Sequence, residues 1–259
     1  ETTRDDVAQT AADIGKRLRK TLIPSADVAG FIGNGHFIRD GHHAIAEVEK
    51  LAAKHGWPSA VWMMNRVSQD WLLRPMGIFQ LIDYVGVDVF QFIESVMDHY
   101  LDEKLTNATI NTMMELKAAG GQRPDGSQKA GFFEYERGKI TGVYDPEKRA
   151  YLPLDPQGWT GAADKALGEL PQPFRPWKAL LSAPDKDAAL ASHFRALADQ
   201  KTLGGELARA YHQCSREIGK GLVSRGVAAK PEDVNGVLTS GFYHLYGPIN
   251  DYLAAGVSR

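Results

Sequence analysis

Apolar residues recur at spacings of three and four through both ends of this chain, and that pattern constrains the fold more than any other feature. Val7, Ala11, Ile14 and Leu18 mark an amphipathic helix over Asp5–Arg19. Phe37, Ala44, Ile45, Val48, Leu51 and Ala52 form the apolar face of a long helix over Phe31–His55, which Asp27 is placed to cap and Gly56, Trp57 and Pro58 end. Further helices are predicted from Ser59 to about Asp70, over Gly77–Tyr84, over Val87–Glu103, and from a Thr106 cap to Ala118. The pattern then breaks. Gly120–Gly131 reads as a loop, and Phe132–Tyr135, Ile140–Tyr144 and Ala150–Leu154 alternate like short strands with turns at Arg137-Gly138 and Asp145-Pro146. Gly158–Pro176, with Pro171, Pro173 and Pro176, is predicted to be a connection and not a packed element. Helical spacing returns from Trp177, over Lys186–Asp199, Gly205–Ser224, Pro231–Ser240 and Pro248–Ala255. The expectation is an all-α chain with a small β-hairpin-containing linker.

Helices of this kind need a core, and 43% apolar against 24% charged residues in 259 supplies one. A formal net charge of -2 gives no reason to expect nucleic acid as a partner. The single cysteine, Cys214, excludes an intrachain disulfide and suits a reducing cytoplasm. No apolar run is long enough to span a membrane. The charged start, Glu1–Asp6, is no signal peptide, and a first residue other than Met fits a piece of a longer protein.

The two helical stretches share a motif. Met76-Gly-Ile-Phe-Gln80 precedes Gly86, and Tyr246-Gly-Pro-Ile-Asn250 precedes Gly256, the second glycine nine positions after the first in both cases. A duplicated unit is expected.

Several segments together resemble the C-terminal helical domains of the 3-hydroxyacyl-CoA dehydrogenase family. Asp27-Val-Ala-Gly-Phe-Ile-Gly-Asn34 is similar to the family's Asp-x-Pro-Gly-Phe-Ile-x-Asn-Arg segment. Ile14-Gly-Lys16 and Lys20-Thr-Leu-Ile-Pro24 resemble the approach to it. Arg74-Pro-Met-Gly-Ile-Phe-Gln-Leu-Ile-Asp-Tyr-Val-Gly-Val-Asp88 resembles a Gly-Pro-Phe-Glu-Leu-x-Asp-x-Val-Gly-Leu-Asp run, and Lys129-Ala-Gly-Phe-Phe-Glu-Tyr135 a Gly-Lys-Gly-Phe-Tyr-x-Tyr signature. Gly226–Asn235 and Tyr246–Asn250 match a second repeat.

The resemblance implies two tandem helical repeats of the type also found in 6-phosphogluconate dehydrogenase. Residues 1–26 would lead from a missing N-terminal Rossmann domain, 27–136 form the first repeat, 137–176 a hairpin and proline-rich linker, and 177–259 the second repeat. It implies oxidation of 3-hydroxyacyl-CoA to 3-oxoacyl-CoA in fatty-acid β-oxidation, with NAD and the catalytic His–Glu pair in the missing domain. This chain would then face acyl-CoA in the cleft and be inactive alone. It implies no membrane partner, a cytoplasmic location, and an internal pseudo-dimer of repeats that is a monomer or a homodimer. The competing readings are a non-catalytic dimerisation or assembly module, and the helical domain of another Rossmann-linked dehydrogenase acting on hydroxy acids.

Asn34 matches the family's catalytic Asn. Its carboxamide offers two donors and an acceptor without charge, suited to a thioester carbonyl or a reacting hydroxyl. Read without the resemblance, it caps or bends a glycine-rich helix start. Ala29 and Gly35 stand where the family has Pro and Arg, which puts the geometry of that turn in question. Gly35 and His36, directly after Asn34, are further candidates for substrate contact; the alternative for His36 is a packed helix residue.

Other constellations carry less. Gly30, Gly33 and Gly35 are in the wrong order for a dinucleotide loop. His36 and His43 share a helix face but lie about 10 Å apart along it, too far for one metal. His212 and Cys214 point to different sides of a helix. No metal is expected. Asp102-Glu103 reads as a solvated helix end. Phe90, Phe92 and Tyr100 read as core, with an acyl-chain or interdomain surface as the alternative.

Overall fold

The computed structural model describes residues 3–253. Helix α1 (Asp5–Arg17) has Asp5 and Asp6 in its first turn and Lys16 and Arg17 in its last, the charge order that its dipole favours. None of its residues is buried, and Val7, Ile14 and Leu18 of its apolar stripe are half or more exposed. The chain then runs extended past Pro24. Gly30 (φ 86°) and Phe31 (φ 46°) hold backbone conformations outside the helical region. They delay α2 (Gly33–His55) by two residues relative to the predicted start at Phe31, and no side chain caps it, Asp27 included.

Gly56 (φ 76°) turns the chain directly into α3 (Trp57–Arg66), where Pro58 sits at the helix start in place of the expected Ser59 cap. The last part of the predicted helix widens into a π-helical turn, Val67–Trp71. Next come α4 (Ile78–Val85), α5 (Val87–Tyr100) and α6 (Ala108–Glu115). Asn107, not Thr106, caps α6 by accepting from the amides of Thr109 and Ile110. Strands β1 (Phe133–Glu136), β2 (Lys139–Asp145) and β3 (Ala150–Pro153) form an antiparallel meander, with Phe133 opposite Val143 and Val143 opposite Leu152.

The proline-rich stretch contains a finding that the sequence reading missed. Trp159–Leu167 is a helix, α7, and Thr160, Ala163 and Leu167 are buried. The prolines all follow it, so they could not break it. After α8 (Trp177–Leu180) come α9 (Lys186–Asp199), α10 (Leu203–Ser224) and α11 (Pro231–Gly241). The helix expected over Pro248–Ala255 does not form through residue 253, and residues 254 and 255 lie outside the described part. The fold is thus mostly helical with one small sheet.

One apolar core runs through both ends of the chain, joining Phe37, Ile45 and Val48 of α2 to Phe194 of α9 and Tyr211 of α10. A smaller core joins Ile32 to Leu222, Val234 and Leu238. Two turns on this scaffold are each pinned by an Asn side chain. The side chain of Asn65 accepts from the amide of Gln80 (3.1 Å) and donates to Gln80 Oε1 (3.2 Å). Asn235, 170 positions later, accepts from the amide of Ile249 (3.0 Å) and donates to its carbonyl (2.9 Å). Each Asn lies against a glycine twelve residues on, Gly77 or Gly247, where an added Cβ would come within 2.2 Å or 2.1 Å of it. Only glycine allows that approach.

A buried carboxylate connects α4 to the start of the meander. Asp83 of α4 accepts from the amides of Phe132 (2.7 Å) and Phe133 (2.9 Å) and from the Tyr135 hydroxyl (2.9 Å). Burial pushes Asp83 up to about 7 against these donors.

Candidate active site at the start of α2

Asn34 lies in the first turn of α2 and is exposed. Its carboxamide does not cap the helix, which removes one of the structural roles open to it on sequence alone. The helix start adds unpaired amides and the positive end of the helix dipole, which favour negative charge nearby. Phe31, 52% exposed, stands one turn before it. Phe31 also lines a cavity of about 220 Å3 with Val28, Leu222, Arg39 and Glu103. Asn34 does not line this cavity, and its charged residues are paired with one another, Glu103 with Arg39 (2.7 Å) and Arg225 (3.3 Å).

Gly35 and His36 are turned the other way. Gly35 is buried; its amide donates to Gly30 O (2.8 Å) and its carbonyl accepts from Arg39 Nη1 (2.7 Å). His36 is 1% exposed, and its Nε2 lies 3.2 Å from Ser215 O and 3.1 Å from Ser215 Oγ. Burial pushes its pKa down, so it sits neutral in the fold. The structure therefore does not bring His36 and Gly35 to the surface that Asn34 occupies, because successive helix residues point in different directions.

His36 belongs to a buried polar cluster that no sequence spacing announced. Asp40 of α2 pairs with Arg74 (2.6 Å) and accepts from the Tyr211 hydroxyl of α10 (3.0 Å). Arg74 also donates to Ser215 Oγ (3.3 Å) and lies over the Tyr211 ring at 4.8 Å. Burial, the largest single influence, pushes Asp40 up, but Arg74 together with His36 and His244 outweighs it and holds the carboxyl at about 2. Ser215, His36 and Asp40 have the composition of a hydrolytic triad but not its function. Asp40 is committed to Arg74 and Tyr211, and all three residues are too buried for a substrate to reach. The only advance signal was Arg74, which opens the Arg-Pro-Met-Gly run.

The remaining candidates separate cleanly. His42 is hydrogen-bonded to Glu94 of α5, and His212 to Asn250 (3.2 Å). No cluster suited to a metal ion occurs among the described residues. Glu103, expected to be merely solvated, anchors Arg39 (2.7 Å). Phe90 is buried as predicted, whereas Phe92 and Tyr100 are 66% and 72% exposed and are not core. No helix among the described residues is long and apolar enough to cross a membrane.

A family model described as 3-hydroxyacyl-CoA dehydrogenase, C-terminal domain, matches residues 30–135. Residues 30–135 are thus similar in sequence to that family's C-terminal domain. The matched domain opens at the Gly30 turn, contains Asn34, and closes at Tyr135, the residue bonded to Asp83. Beyond it, the fold of nearly the whole chain has a counterpart. The crystal structure of 3-hydroxybutyryl-CoA dehydrogenase from Escherichia coli K12 substr. MG1655 superposes with a TM-score of 0.58 over 95% of this chain, at 16% identity. At that identity the likeness is one of fold. The chain spans 57% of the length of that structure. No curated protein sequence matches the chain significantly.

Proposed function

We propose that this chain is the acyl-CoA-facing part of an NAD-dependent 3-hydroxyacyl-CoA dehydrogenase of the β-oxidation type, acting in the cytoplasm. The observation that carries the proposal is Asn34: a neutral carboxamide, exposed and not used as a cap, at the positive end of α2 inside the family domain. In this role its N–H donates to the thioester carbonyl or to the oxygen at C3, orienting the substrate and stabilising negative charge as it develops.

The described residues do not fit NAD. Their three strands form an antiparallel meander, without the parallel strand–glycine turn–helix unit that holds a dinucleotide. At the Gly30–Gly35 turn, the Gly35 amide is already bonded to Gly30 O. In this proposal the nucleotide and the acid–base pair belong to a separate domain, and the 259-residue chain alone does not turn over. The test uses acetoacetyl-CoA and NADH with this chain alone and with the enzyme that contains it. The chain alone should be inactive, and Asn34→Ala in the enzyme should lower kcat by about 100- to 1000-fold. Robust turnover by the chain alone, or an unchanged kcat in the variant, would overturn the proposal.

A second, compatible reading is assembly. The Asp40–Arg74–Tyr211 cluster and the shared core join α2 to α10, and the Asn–Gly pins recur at a shift of 170 positions. They support two copies of one unit, residues 27–136 and 177–259, packed as an internal pseudo-dimer. Light scattering should then find a monomer, and an obligate homodimer would sink this reading.

A further inference from the structure

Position 35 holds a glycine where the resemblance places an arginine, and the structure puts a guanidinium there by another route. Arg39 lies one helical turn further along α2. Its Nη1 donates to Gly35 O (2.7 Å), while Nε (3.0 Å) and Nη2 (2.7 and 2.8 Å) grip the Glu103 carboxylate just past the end of α5. The Arg39 side chain is only 13% exposed, so the pair is shielded from solvent on one side. Arg225, at the end of α10, reaches the same carboxylate at 3.3 Å. A Cβ added at Gly35 would stand 3.6 Å from Arg39 Nη1 and 3.2 Å from Leu222 Cδ2. A long side chain at 35 would therefore contest the space that the Arg39 guanidinium fills.

The second half repeats the arrangement at the same shift of 170 positions. Arg209 folds back along α10, and a Cβ added at Gly205 would come 3.3 Å from its Nη1. There the guanidinium donates to the carbonyls of Leu197 (2.9 Å) and Gln200 (2.6 Å) at the end of α9. In both places a glycine at the third residue of the long helix lies against an arginine four residues on, but Arg39 takes one carbonyl of its own helix and a carboxylate, whereas Arg209 takes two carbonyls at the end of α9.

We propose that Arg39, anchored by Glu103, is the positioning residue that holds the turn presenting Asn34. The turn's backbone is otherwise held by the Phe31 amide on Val28 O (2.8 Å), the Gly35 amide on Gly30 O (2.8 Å) and the buried Ile32, and no side chain caps the helix. A planar fork can reach Gly35 O and both Glu103 oxygens at once, which an ammonium cannot. The link to catalysis rests on the proposal that Asn34 faces the substrate; the hold on the turn does not.

The experiment measures amide hydrogen exchange at Gly35 and His36 in the full chain, together with its affinity for acetoacetyl-CoA. Arg39→Ala should speed exchange at these two amides by about tenfold or more, since a charge-assisted bond is lost. Amides within α3 and α9 should be unaffected. Glu103→Gln, which keeps the shape of the anchor, should give a smaller change at the same two amides and serves where Arg39→Ala fails to fold. Unchanged exchange in both variants, or full protection in Arg39→Lys, would overturn the proposal. Arg39→Ala should also weaken acetoacetyl-CoA binding, and adding it to Asn34→Ala should weaken binding no further, because Arg39 acts through that turn. Faster exchange combined with indifference of binding to Asn34→Ala would leave the Arg39 hold standing and remove the substrate role of Asn34.

Discussion

The two long helices, α2 and α10, are held alike and begin differently. At the shift that superimposes Asn65 on Asn235 and Gly77 on Gly247, Asn34 falls on Gly204. Asn34 is exposed, whereas Gly204 is buried under the indole of Trp71, which an added Cβ would approach to 2.5 Å. Thr202 caps α10 through the amide of Gly205 (3.1 Å), and nothing caps α2. One helix start is sealed by the other half of the chain and the other is left open. A shared scaffold therefore does not imply a shared surface: packing buries Gly204 at the second start and leaves Asn34 exposed at the first.

The comparison can be broken where the halves meet. Arg74→Ala leaves Asp40 charged and buried without its partner, and should cost about 3–5 kcal/mol in urea unfolding. A loss under 1 kcal/mol would show that the buried pair does not join α2 to α10. Gly204→Val tests the sealed start. It drives a side chain into Trp71 and should cost about 1–3 kcal/mol, while a neutral outcome would mean that Trp71 does not close that helix.

Acid sharpens the contrast from the second half. Burial pushes His212 of α10 down to about 4. Between pH 6.5 and about 4 the unfolded chain takes up a proton there that the folded chain refuses. The stability from neutral His212 is therefore full above pH 6.5 and is lost as pH falls toward 4, by about 2 kcal/mol between pH 7 and 5. Asp83, raised to about 7, works in the opposite sense, losing stability as pH rises. The difference between the parent and His212→Gln isolates the histidine, and identical pH profiles would refute its contribution. The smallest effect belongs to the open start. Asn34→Ala should change the melting free energy by less than about 0.5 kcal/mol, as for other unbonded surface residues. A larger loss would make Asn34 a structural residue.

Most of the helices were legible because their residues make local demands. The apolar spacing in α2 and α10 reports directly which face packs. The reading failed where the deciding partner is distant or where a composition signal was misplaced. The prolines around 171–176 concealed α7, whose buried Leu167 packs near Trp71 and Gly204. Phe92 and Tyr100 have core-like chemistry but lie on the outer side of α5, which periodicity within one helix could not reveal. Asn34 could be picked out by its place in a motif, yet its neighbours His36 and Gly35 could not be excluded until the helix phase was known.

The sequence by itself determined the helix-dominated class, the short meander, the family likeness of residues 30–135 and the identity of Asn34. Each rests on side chains close together in the chain. Only the tertiary structure decided that Asp40, Arg74 and Tyr211 share one buried cluster, that Arg39 bonds the Gly35 carbonyl and Glu103, and that Asn34 is exposed while its counterpart Gly204 is buried. Those outcomes depend on contacts between residues 34 to 171 positions apart, or on which way a helix face turns, and neither is encoded in local spacing.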